Sequence, residues 1–310
     1  MSSVIVIGSS NTDYTLRVPT LPVPGETRLG GVFAIGRGGK GANQAVGSRR
    51  AGAAVVFVTA VGDDDAGRAA LEALRSEGID VGHAVVIAGA TSGSALILVD
   101  DAGENLIGVA PGANAALRAA DVDALPDAVF KPGGVLLASL EIPLEAVARA
   151  LRRARAAGMR TVLNPAPATS AATPLLALAD VVAPNRGEAA TLAGMPPDSD
   201  PADLAAALIK LGARDVVITL GSRGCLVATP AGDSRLDCAA IPSPRVVAVD
   251  TVGAGDAFNG ALATALAERR TPRAAAAWAV KAGALAVTVR GAQTGLPYRD
   301  AIDALPDAVV

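Results

Sequence analysis

The sequence has few aromatic residues and little net charge. Phe, Trp and Tyr together make up 2% of the 310 residues, and the formal net charge at pH 7 is −3. Proteins that bind single-stranded nucleic acid use aromatic side chains as stacking platforms, and basic patches attract duplex nucleic acid or an anionic membrane surface. The composition therefore predicts neither a nucleic-acid partner nor a membrane partner.

Metal-ligating and cross-linking side chains are also scarce. The single histidine is His83, and the two cysteines are Cys225 and Cys238. One histidine excludes a multi-histidine metal site, and two cysteines are too few for a disulfide framework. The N-terminal apolar run, Val4–Ile7, is much shorter than the roughly 20 residues that cross a membrane, and it follows no basic leader. We expect a cytoplasmic protein.

Apolar residues make up 51% of the chain and charged residues 18%, which is typical of a folded protein. Short β-branched runs alternate with alanine-rich helical stretches over one domain, residues 1–310. The predicted strands are Val4–Ile7, Val55–Ala60, Val135–Ala138, Thr161–Asn164, Val181–Ala183, Asp215–Thr219 and Gly224–Ala228. The predicted helices are Ala42–Ala51, Ala66–Glu77, Leu144–Ala157, Arg186–Leu192, Pro201–Leu211, Ala257–Glu268 and Pro272–Thr288. This alternation predicts an α/β fold with a doubly wound, mostly parallel sheet flanked by helices.

Two segments, at about residues 14–37 and 91–110, interrupt the alternation. The first has turn-forming prolines and glycines before the extended-looking run Val32–Gly36, and the second contains two apolar runs joined by Asp-Asp-Ala-Gly, which predicts a hairpin. Because neither segment has a helical crossover, we expect a small β-sheet lid that stands off the main sheet. Its exposed apolar face favours a homodimer formed through the lid.

The stretch that carries most chemical information is Asp250–Gly260, which reads DTVGAGDAFNG and leads into a helical pattern. Its glycines let the backbone turn sharply and expose N–H groups, and the following helix adds free N–H groups and the positive end of its dipole. Together these features predict an anion site. A carboxylate, Asp256, lies within it, and a base beside an anion site suits phosphoryl transfer to a hydroxyl group.

A second glycine-rich turn, Gly38–Gln44, reads GGKGANQ and opens another predicted helix. Its glycines would bring the backbone close to a ligand, and Lys40 and Asn43 add polar groups. Taken alone, the segment is also compatible with an ordinary helix start. It is not a Walker A loop, and Gly8–Asn11 after the first strand is not a dinucleotide fingerprint. These absences weaken the P-loop NTPase and dehydrogenase hypotheses.

Three acidic or amide side chains that follow strands have two interpretations each. Asn11 and Asp13 could bind sugar hydroxyls, but by themselves they are typical of an Asx turn. Glu141 could accept from a hydroxyl group, or it could simply precede a helix, where a carboxylate is favourable.

Two segments further along the chain are equally ambiguous. Asn185 and Glu188 have the spacing of a capping box, but they could also lie beside phosphate oxygens, with Glu188 organising water around Mg²⁺, an ion that needs few protein carboxylates. The glycines of Thr219–Gly224 could approach a triphosphate or make a hairpin turn.

The order of these motifs resembles the ribokinase / phosphofructokinase-B family of sugar kinases, over nearly the whole chain. The motifs that carry the resemblance are GGKGANQA (Gly38–Ala45), NPAP (Asn164–Pro167), PNRGE (Pro184–Glu188), TLGSRG (Thr219–Gly224) and DTVGAGDAFNG (Asp250–Gly260). The resemblance implies a ribokinase-like fold with a dimerising β-sheet lid. It also implies transfer of the γ-phosphoryl group of ATP to the 5-hydroxyl group of ribose.

The resemblance also implies roles for individual residues. Asp256 would be the base, and Gly253, Ala254 and Gly255 would form the anion hole for the transferring phosphoryl group. The sugar would be held by Asn11, Asp13, Gly39, Lys40, Asn43, Glu141 and Asp256. The nucleotide would be held by Asn185, Glu188, Thr219, Gly221, Ser222, Gly224 and Gly255, with Mg²⁺ bound to Glu188 through water.

A monovalent cation, K⁺, beside the anion hole is a further implication of the resemblance. Its ligands would be the Asp250 carboxylate and, mostly through backbone carbonyls, Val252, Ala286, Val289, Gly291 and Gly295. The chain departs from the family at Gly295, where a hydroxyl residue is common.

Other functions stay open on the sequence alone. Within the family, the acceptor could be fructose, 2-keto-3-deoxygluconate or a nucleoside, because acceptor choice depends on a few lid contacts. A non-catalytic sugar-binding regulator could share the fold, although such a protein would not need Asp256. A nicotinamide-dependent dehydrogenase fits the alternation of strands and helices but lacks the expected fingerprint.

Overall fold

The computed structural model describes residues 2–232 and 235–308. Its strands are β1 (Ser3–Ile7), β2 (Asn11–Arg17), β3 (Val32–Gly38), β4 (Ala54–Val58), β5 (Ala60–Gly62), β6 (Val85–Ile87), β7 (Gly93–Val99), β8 (Asn105–Ala110), β9 (Val135–Ala138), β10 (Arg160–Leu163), β11 (Val181–Val182), β12 (Asp215–Thr219), β13 (Cys225–Pro230) and β14 (Leu236–Ile241). Its helices are α1 (Lys40–Arg50), α2 (Asp65–Ser76), α3 (Ala119–Asp123), α4 (Leu144–Ala156), α5 (Arg186–Ala193), α6 (Pro201–Lys210), α7 (Ala254–Ala267), α8 (Pro272–Ala286) and α9 (Arg299–Ala304). None of the helices in these residues has the length and apolar character of a membrane span.

The large sheet has the strand order β14-β13-β12-β11-β10-β9-β1-β4. Its strands from β12 to β4 run parallel, and β13 and β14 complete one edge in antiparallel orientation. The predicted mostly parallel sheet is therefore confirmed. Parallel strands need crossover connections, and the alanine-rich segments between them provide these as helices.

Helices cover both faces of this sheet. Alternate residues of a strand point to opposite faces, and in β1 Val4 and Val6 pack into the core that contains α1 and α7, while Ile5 and Ile7 pack into the core that contains α4 and α6. All four side chains are at most 1% exposed. Central strands of this kind are apolar on both faces, which explains why they read as continuous apolar runs rather than as alternating ones.

Strand β1 lies at the point where the strand order reverses. The chain passes from β1 to β4 on one side and later returns to β9 on the other side, from which β10, β11 and β12 continue outward. In open α/β sheets, ligands bind beyond the carboxyl ends of the strands at such a switch point. The topology therefore directs attention to the residues that follow β1 and β9.

A small separate sheet with the order β3-β2-β7-β8 adjoins this edge. The expected β structure of both interrupting segments is thus confirmed, and β2 begins at Asn11, somewhat before the expected boundary. The apolar side chains that it leaves exposed are Val32, Phe33, Ile35, Leu96, Leu106, Ile107 and Val109. Ile107 pairs with Ile97 in register, and Leu96 lies on the opposite face. Both faces of the small sheet therefore carry uncovered apolar side chains.

Differences from the predicted elements are local. The predicted strand Val55–Ala60 is divided at Thr59 into β4 and β5, and α7 begins at Ala254 rather than Ala257 because the glycine-rich turn itself enters the helix. The apolar residues Arg245–Val249, which precede the glycine-rich stretch and were not predicted as an element, have no helix or strand, and Val247 is 83% exposed.

Candidate active site

Asn11 and Asp13 lie in β2, where the chain passes from the large sheet to the small one. The Asx-turn interpretation is wrong, because Asn11 pairs with Gly38 of β3 on one side and with Gly93 of β7 on the other. Residues two apart in a strand point to the same face, so the amide and the carboxylate are directed to the same side of the small sheet.

Asn114 fixes the orientation of the Asn11 amide. Asn114 lies in the 3₁₀ turn Gly112–Ala116, and its Nδ2 donates to Asn11 Oδ1 at 2.8 Å and to the Ser10 carbonyl at 3.2 Å. Because Asn11 Oδ1 already accepts this bond, the NH₂ group of Asn11 is free to donate to a ligand. Only glycine fits beside this pair, since a Cβ at Gly93 would lie 2.1 Å from Asn114 Nδ2.

Asp13 lies against the backbone of β3. A Cβ at Gly38 would be 2.1 Å from Asp13 Oδ2, so this glycine allows the carboxylate to pack closely on the neighbouring strand. Burial, together with the negative charge of Glu141, raises the pKa of Asp13 to about 6. Asp13 and Glu141 are thus close enough to affect each other electrostatically.

Glu141 joins the end of β9 to the start of α1. Its Oε2 accepts from Ser9 Oγ at 2.5 Å and from the Lys40 N–H at 3.0 Å. The preceding Gly39 has φ 86°, and a Cβ there would lie 2.8 Å from Asn11 N. A positive φ and this close approach both require glycine, so the turn brings α1 directly onto the residues that follow β1.

Helix α7 begins at the predicted anion site. Gly253 precedes it with φ 79°, and a Cβ there would lie 2.9 Å from the Ala292 carbonyl oxygen. Gly255, in the first turn, is exposed. The Ala254 N–H donates to the Thr251 carbonyl at 3.3 Å. The other N–H groups of the first turn have no intrahelical acceptor, so this turn presents N–H groups and the positive helix end to an open surface.

Asp256 is 8% exposed and points toward α1. Its Oδ2 accepts from Asn43 Nδ2 at 2.9 Å, and its Oδ1 accepts from Gln44 Nε2 at 3.0 Å. Burial raises the pKa of Asp256, and the positive charge of Lys40 and the two amide donors oppose that rise. A buried carboxylate held by donors at the start of a helix has the position expected of a general base.

A second group of predicted residues lies at the ends of β11 and β12. Asn185 Oδ1 accepts from the Glu188 N–H at 2.8 Å, and the Asn185 N–H donates to Glu188 Oε2 at 2.8 Å, which confirms the capping box. Thr219 bridges to Asn185. Burial raises the pKa of Glu188, and Lys40 and Asp256 both act on it electrostatically. This group therefore adjoins the residues around Asp256.

The turn between β12 and β13 completes this group. Gly221 and Ser222 are exposed in a single 3₁₀ turn. Gly224 has φ 90°, and a Cβ there would lie 1.9 Å from the Ile241 carbonyl oxygen. The glycine is therefore required by the close approach of β14 and the residues that follow it.

Several of the predicted cation ligands lie close together, whereas Val252 is exposed and contacts this group through its N–H, which donates to Asp250 Oδ1 at 3.0 Å. Three carbonyl oxygens, of Ala286, Val289 and Gly291, lie 2.8–3.1 Å from the point where a Cβ on Gly295 would be. Asp250 Oδ2 accepts from the Gly291 N–H at 2.9 Å and so joins this loop to the segment before α7. Clustered carbonyl oxygens can replace the hydration shell of K⁺, so these residues fit a monovalent cation.

One family model covers almost the whole chain. Residues 1–299 match the model described as pfkB family carbohydrate kinase. The chain belongs to the pfkB family of carbohydrate kinases. The family membership indicated by the ordered motifs is confirmed.

Several curated proteins are similar to this pfkB-family chain. The ribokinase of Haemophilus influenzae is 38% identical over 96% of this chain and 96% of its own length. The deoxyribokinase of Salmonella typhi is 35% identical over 95% of each chain. The bifunctional ribokinase/ribose-5-phosphate isomerase A of Fructilactobacillus sanfranciscensis is 39% identical over 97% of this chain, which spans 56% of that longer protein.

Solved structures of ribokinases have the same fold. The ribokinase of Thermotoga maritima superposes with a TM-score of 0.87 at 31% identity, and the match includes 98% of this chain and 99% of the Thermotoga chain. The ribokinase of Arabidopsis thaliana, solved in complex with ribose and ATP, superposes with a TM-score of 0.84 at 28% identity and covers 97% of each chain. The predicted ribokinase-like fold is confirmed.

Four polar residues of the site were not identified from the sequence. Gln44 and Asn164 lie within the motifs GGKGANQA and NPAP, and Ser9 immediately follows the first glycine after β1. Their positions in glycine-rich or strand-end motifs were an available signal. Asn114 lies in an alanine-rich turn about 100 residues from its partner Asn11, and nothing in its surrounding sequence indicates that contact.

Proposed function

We propose that this protein is an ATP-dependent ribokinase, which transfers the γ-phosphoryl group of ATP to the 5-hydroxyl group of D-ribose. The observation that carries the proposal is the position of Asp256, a buried carboxylate in the first turn of α7 that is hydrogen-bonded to Asn43 of α1. A protein that only bound sugar would not need a base beside an anion site. The ribokinase relatives and the pfkB family membership support ribose as the acceptor.

Ribose would bind between the small sheet and the start of α1. The groups available there complement sugar hydroxyls, since carboxylates accept hydrogen bonds and amide NH₂ groups donate them. The residues proposed to hold the sugar are Asn11, Asp13, Gly39, Lys40, Asn43 and Glu141. Their mutual contacts, such as the one between Glu141 and the Lys40 N–H, would fix these groups before the sugar arrives, which favours binding.

Asp256 would accept the proton of the 5-hydroxyl group as that oxygen attacks the γ-phosphorus in line, while the bond from the γ-phosphorus to the β–γ bridging oxygen breaks and ADP leaves. The backbone of Gly253, Ala254 and Gly255 would form the anion hole that stabilises the charge on the transferring group. Burial raises the pKa of both Asp256 and Glu188, and the positive charge of Lys40 opposes that rise, so Lys40 would favour the ionised form of the base.

The nucleotide would lie over the ends of β11 and β12. The residues proposed for it are Asn185, Glu188, Thr219, Gly221, Ser222, Gly224 and Gly255. Mg²⁺, bound with the ATP, would neutralise charge on the phosphates. One Glu188 oxygen accepts from the Asn185 N–H, and the other would hold a water ligand of the metal, as suits an ion that keeps most of its waters.

K⁺ would bind beside the anion hole. Asp250 and the carbonyl groups of Val252, Ala286, Val289 and Gly291 would hold it, with Gly295 contributing backbone only. The hydrogen bond between Asp250 and Gly291 ties these ligands to the segment that leads into α7. A cation there would stabilise the backbone of the anion hole and add positive charge near the phosphates.

The small sheet would act as the lid of the sugar site, with segments about 14–37 and 91–110, and as the surface of a homodimer. Its exposed apolar side chains on both faces support this proposal, since isolated sheets of this kind need cover. Sedimentation of Leu96→Asp and Ile107→Asp, one on each face, tests it. We expect one variant to become monomeric, and two variants with the native mass would refute the proposed interface.

The catalytic proposal is tested by ATP consumption against ribose, 2-deoxyribose, fructose, 2-keto-3-deoxygluconate and nucleosides. We expect ribose to give the highest kcat/KM and NMR of the product to show a phosphate on the 5-position. A higher kcat/KM for another acceptor would reassign the substrate. Binding of ribose without any ATP consumption would instead favour a regulator. A requirement for ATP would agree with the expected cytoplasmic location.

A further inference from the structure

The side chain of Gln44 connects the proposed base to the nucleotide side of the large sheet. Gln44 lies on α1 and is fully buried. Its Nε2 donates to Asp256 Oδ1 at 3.0 Å and to Asn164 Oδ1 at 2.9 Å. Asn164 follows β10, and its Nδ2 donates in turn to the Ala183 carbonyl at 2.9 Å. Three elements, α1, α7 and the end of β10, therefore meet at one amide group.

The chemistry of the neighbours determines the orientation of this amide. The Ala183 carbonyl can only accept, so Asn164 must direct its NH₂ group toward it and its Oδ1 toward Gln44. An ionised Asp256 can also only accept. Gln44 therefore faces two acceptors and must present its NH₂ group to both. A rotated amide would place an oxygen against two oxygens.

Several charges act on Asp256 besides these amides. The positive charge of Lys40, on α1, opposes the rise in the pKa of Asp256 that burial causes, whereas the negative charge of Glu141, after β9, adds to it. Glu188, on α5, also interacts with Asp256 electrostatically. Burial is the largest influence and favours the neutral form. The donor groups of Asn43 and Gln44 oppose burial directly, one on each carboxylate oxygen.

We infer that Gln44 is a positioning residue, which holds the carboxylate of Asp256 in place for proton transfer and is itself locked by Asn164. Asn43 alone would fix one oxygen and leave the carboxyl group free to rotate about that contact. With Gln44 on the second oxygen, the plane of the carboxylate is defined relative to α1. This inference rests on the proposed function, since it takes Asp256 as the base.

The test is the pH profile of kcat for Gln44→Met. Methionine is similar in length to glutamine and lacks its NH₂ donor. The substitution also removes Gln44 Oε1, which is buried without a partner in the described residues. Loss of a hydrogen bond to an ionised group should move the rising limb of the profile upward by about one to two pH units. We also expect kcat at neutral pH to fall at least tenfold, with the KM for ATP nearly unchanged. An unmoved rising limb would overturn the inference.

Ser48→Ala is the matched control. Ser48 is also fully buried on α1, one turn after Gln44, and its Oγ donates to the Gly260 carbonyl of α7 at 3.2 Å. The substitution removes a contact between the same two helices without touching Asp256. We expect an unchanged pH profile. An equal upward shift in this variant would mean that general helix packing, rather than Gln44, sets the profile.

Two further measurements keep the inference testable if Gln44→Met does not fold or if ribose is not the acceptor. Asn164→Ala removes the acceptor that locks Gln44 and should give a smaller upward shift of the rising limb. No shift would overturn the locking role.

Titration of ¹³C-labelled aspartate carboxyl groups by NMR, with the Asp256 signal assigned from Asp256→Asn, needs no catalysis. An Asp256 pKa unchanged in Gln44→Met would refute the inference, whereas a kinase assay without activity would refute only the proposed function.

Discussion

Replacing Asp256 by asparagine removes the proposed base and keeps a side chain of nearly the same shape. General base catalysis typically contributes about 10²–10⁴-fold to a rate, so we expect kcat with ribose to fall by at least about 100-fold. ATP binding should change little, because the residues proposed for the nucleotide, such as Asn185 and Thr219, are intact. Steady-state kinetics and calorimetric titration with ATP measure the two effects separately.

The same substitution should leave the fold intact. Each carboxylate oxygen of Asp256 accepts one N–H, from Asn43 or from Gln44. The new amide would direct its NH₂ group at one of these donors. The side chain of Asn43 can accommodate this change by rotating its own amide. Its Oδ1 is buried without a partner among the described residues, and the rotation would direct that oxygen at the new NH₂ group. Both hydrogen bonds would then persist without a buried charge.

The pH dependence of stability follows from the raised pKa. Burial raises the pKa of Asp256 above its usual value of 3.8. A carboxyl group with a raised pKa binds protons more readily in the folded than in the unfolded protein, so its contribution to stability falls as the pH rises from about 4 through the folded pKa. Asparagine has no such titration. The difference in Tm between Asp256→Asn and the native protein should therefore increase as the pH rises over that range. We expect about 2 °C for each kcal/mol of unfolding free energy that the native protein loses.

Two results would refute this reasoning. A kcat near the native value would show that another group takes the proton. A Tm at pH 7 many degrees below that of the native protein would contradict the argument from the Asn43 amide, and the loss of activity would then reflect unfolding. Ser48→Ala, which leaves Asp256 untouched, supplies the comparison for ordinary loss of a buried hydrogen bond.

Three further predictions concern the ligands. The pKa of Asp13 is raised to about 6. The KM for ribose should therefore increase as the pH falls below about 6, because protonation of Asp13 removes an acceptor for sugar hydroxyls. Asp13→Asn should raise this KM and abolish its pH dependence. Asn114→Ala should raise the KM for ribose about fivefold, as expected for one lost hydrogen bond, while the KM for ATP stays constant; equal changes in both would contradict its role in orienting Asn11. Activity should be weak without K⁺, and activity that is indifferent to K⁺ would exclude the cation proposal at Asp250.

Residues that form continuous motifs were predictable. The turn Gly38–Gln44 and the stretch Asp250–Gly260 show their backbone requirements in the sequence. Glycine is the residue that most readily adopts the positive φ of Gly39 and Gly253, and it alone lacks the Cβ that would contact the neighbouring backbone. The buried strands were predictable for the same local reason, since a run such as Val4–Ile7 has apolar side chains for both faces. Capping of α5 by Asn185 depends on a spacing of three residues, which is also visible locally.

Contacts between distant segments could not be predicted in this way. Asn11 and Asp13 looked like a turn because the strands that pair with them, β3 and β7, lie about 25 and 80 residues further along the chain. The amides that hold Asp256 come from a helix more than 200 residues away. Pairings of this kind have no periodic signature, and the side chains involved are ordinary amides.

The sequence by itself determined the α/β alternation, the two glycine-rich helix starts and the family, because each of these depends on local backbone geometry or on the order of motifs. Only the tertiary structure decided which groups face Asp256 and how their amides are oriented. The physical reason is that the partners in a buried hydrogen-bond network come from several segments of the chain, and each amide orientation depends on all of its neighbours at once. The role of Gln44 follows from its two acceptors, Asp256 and Asn164, which come together only when α1, α7 and β10 pack around the same point.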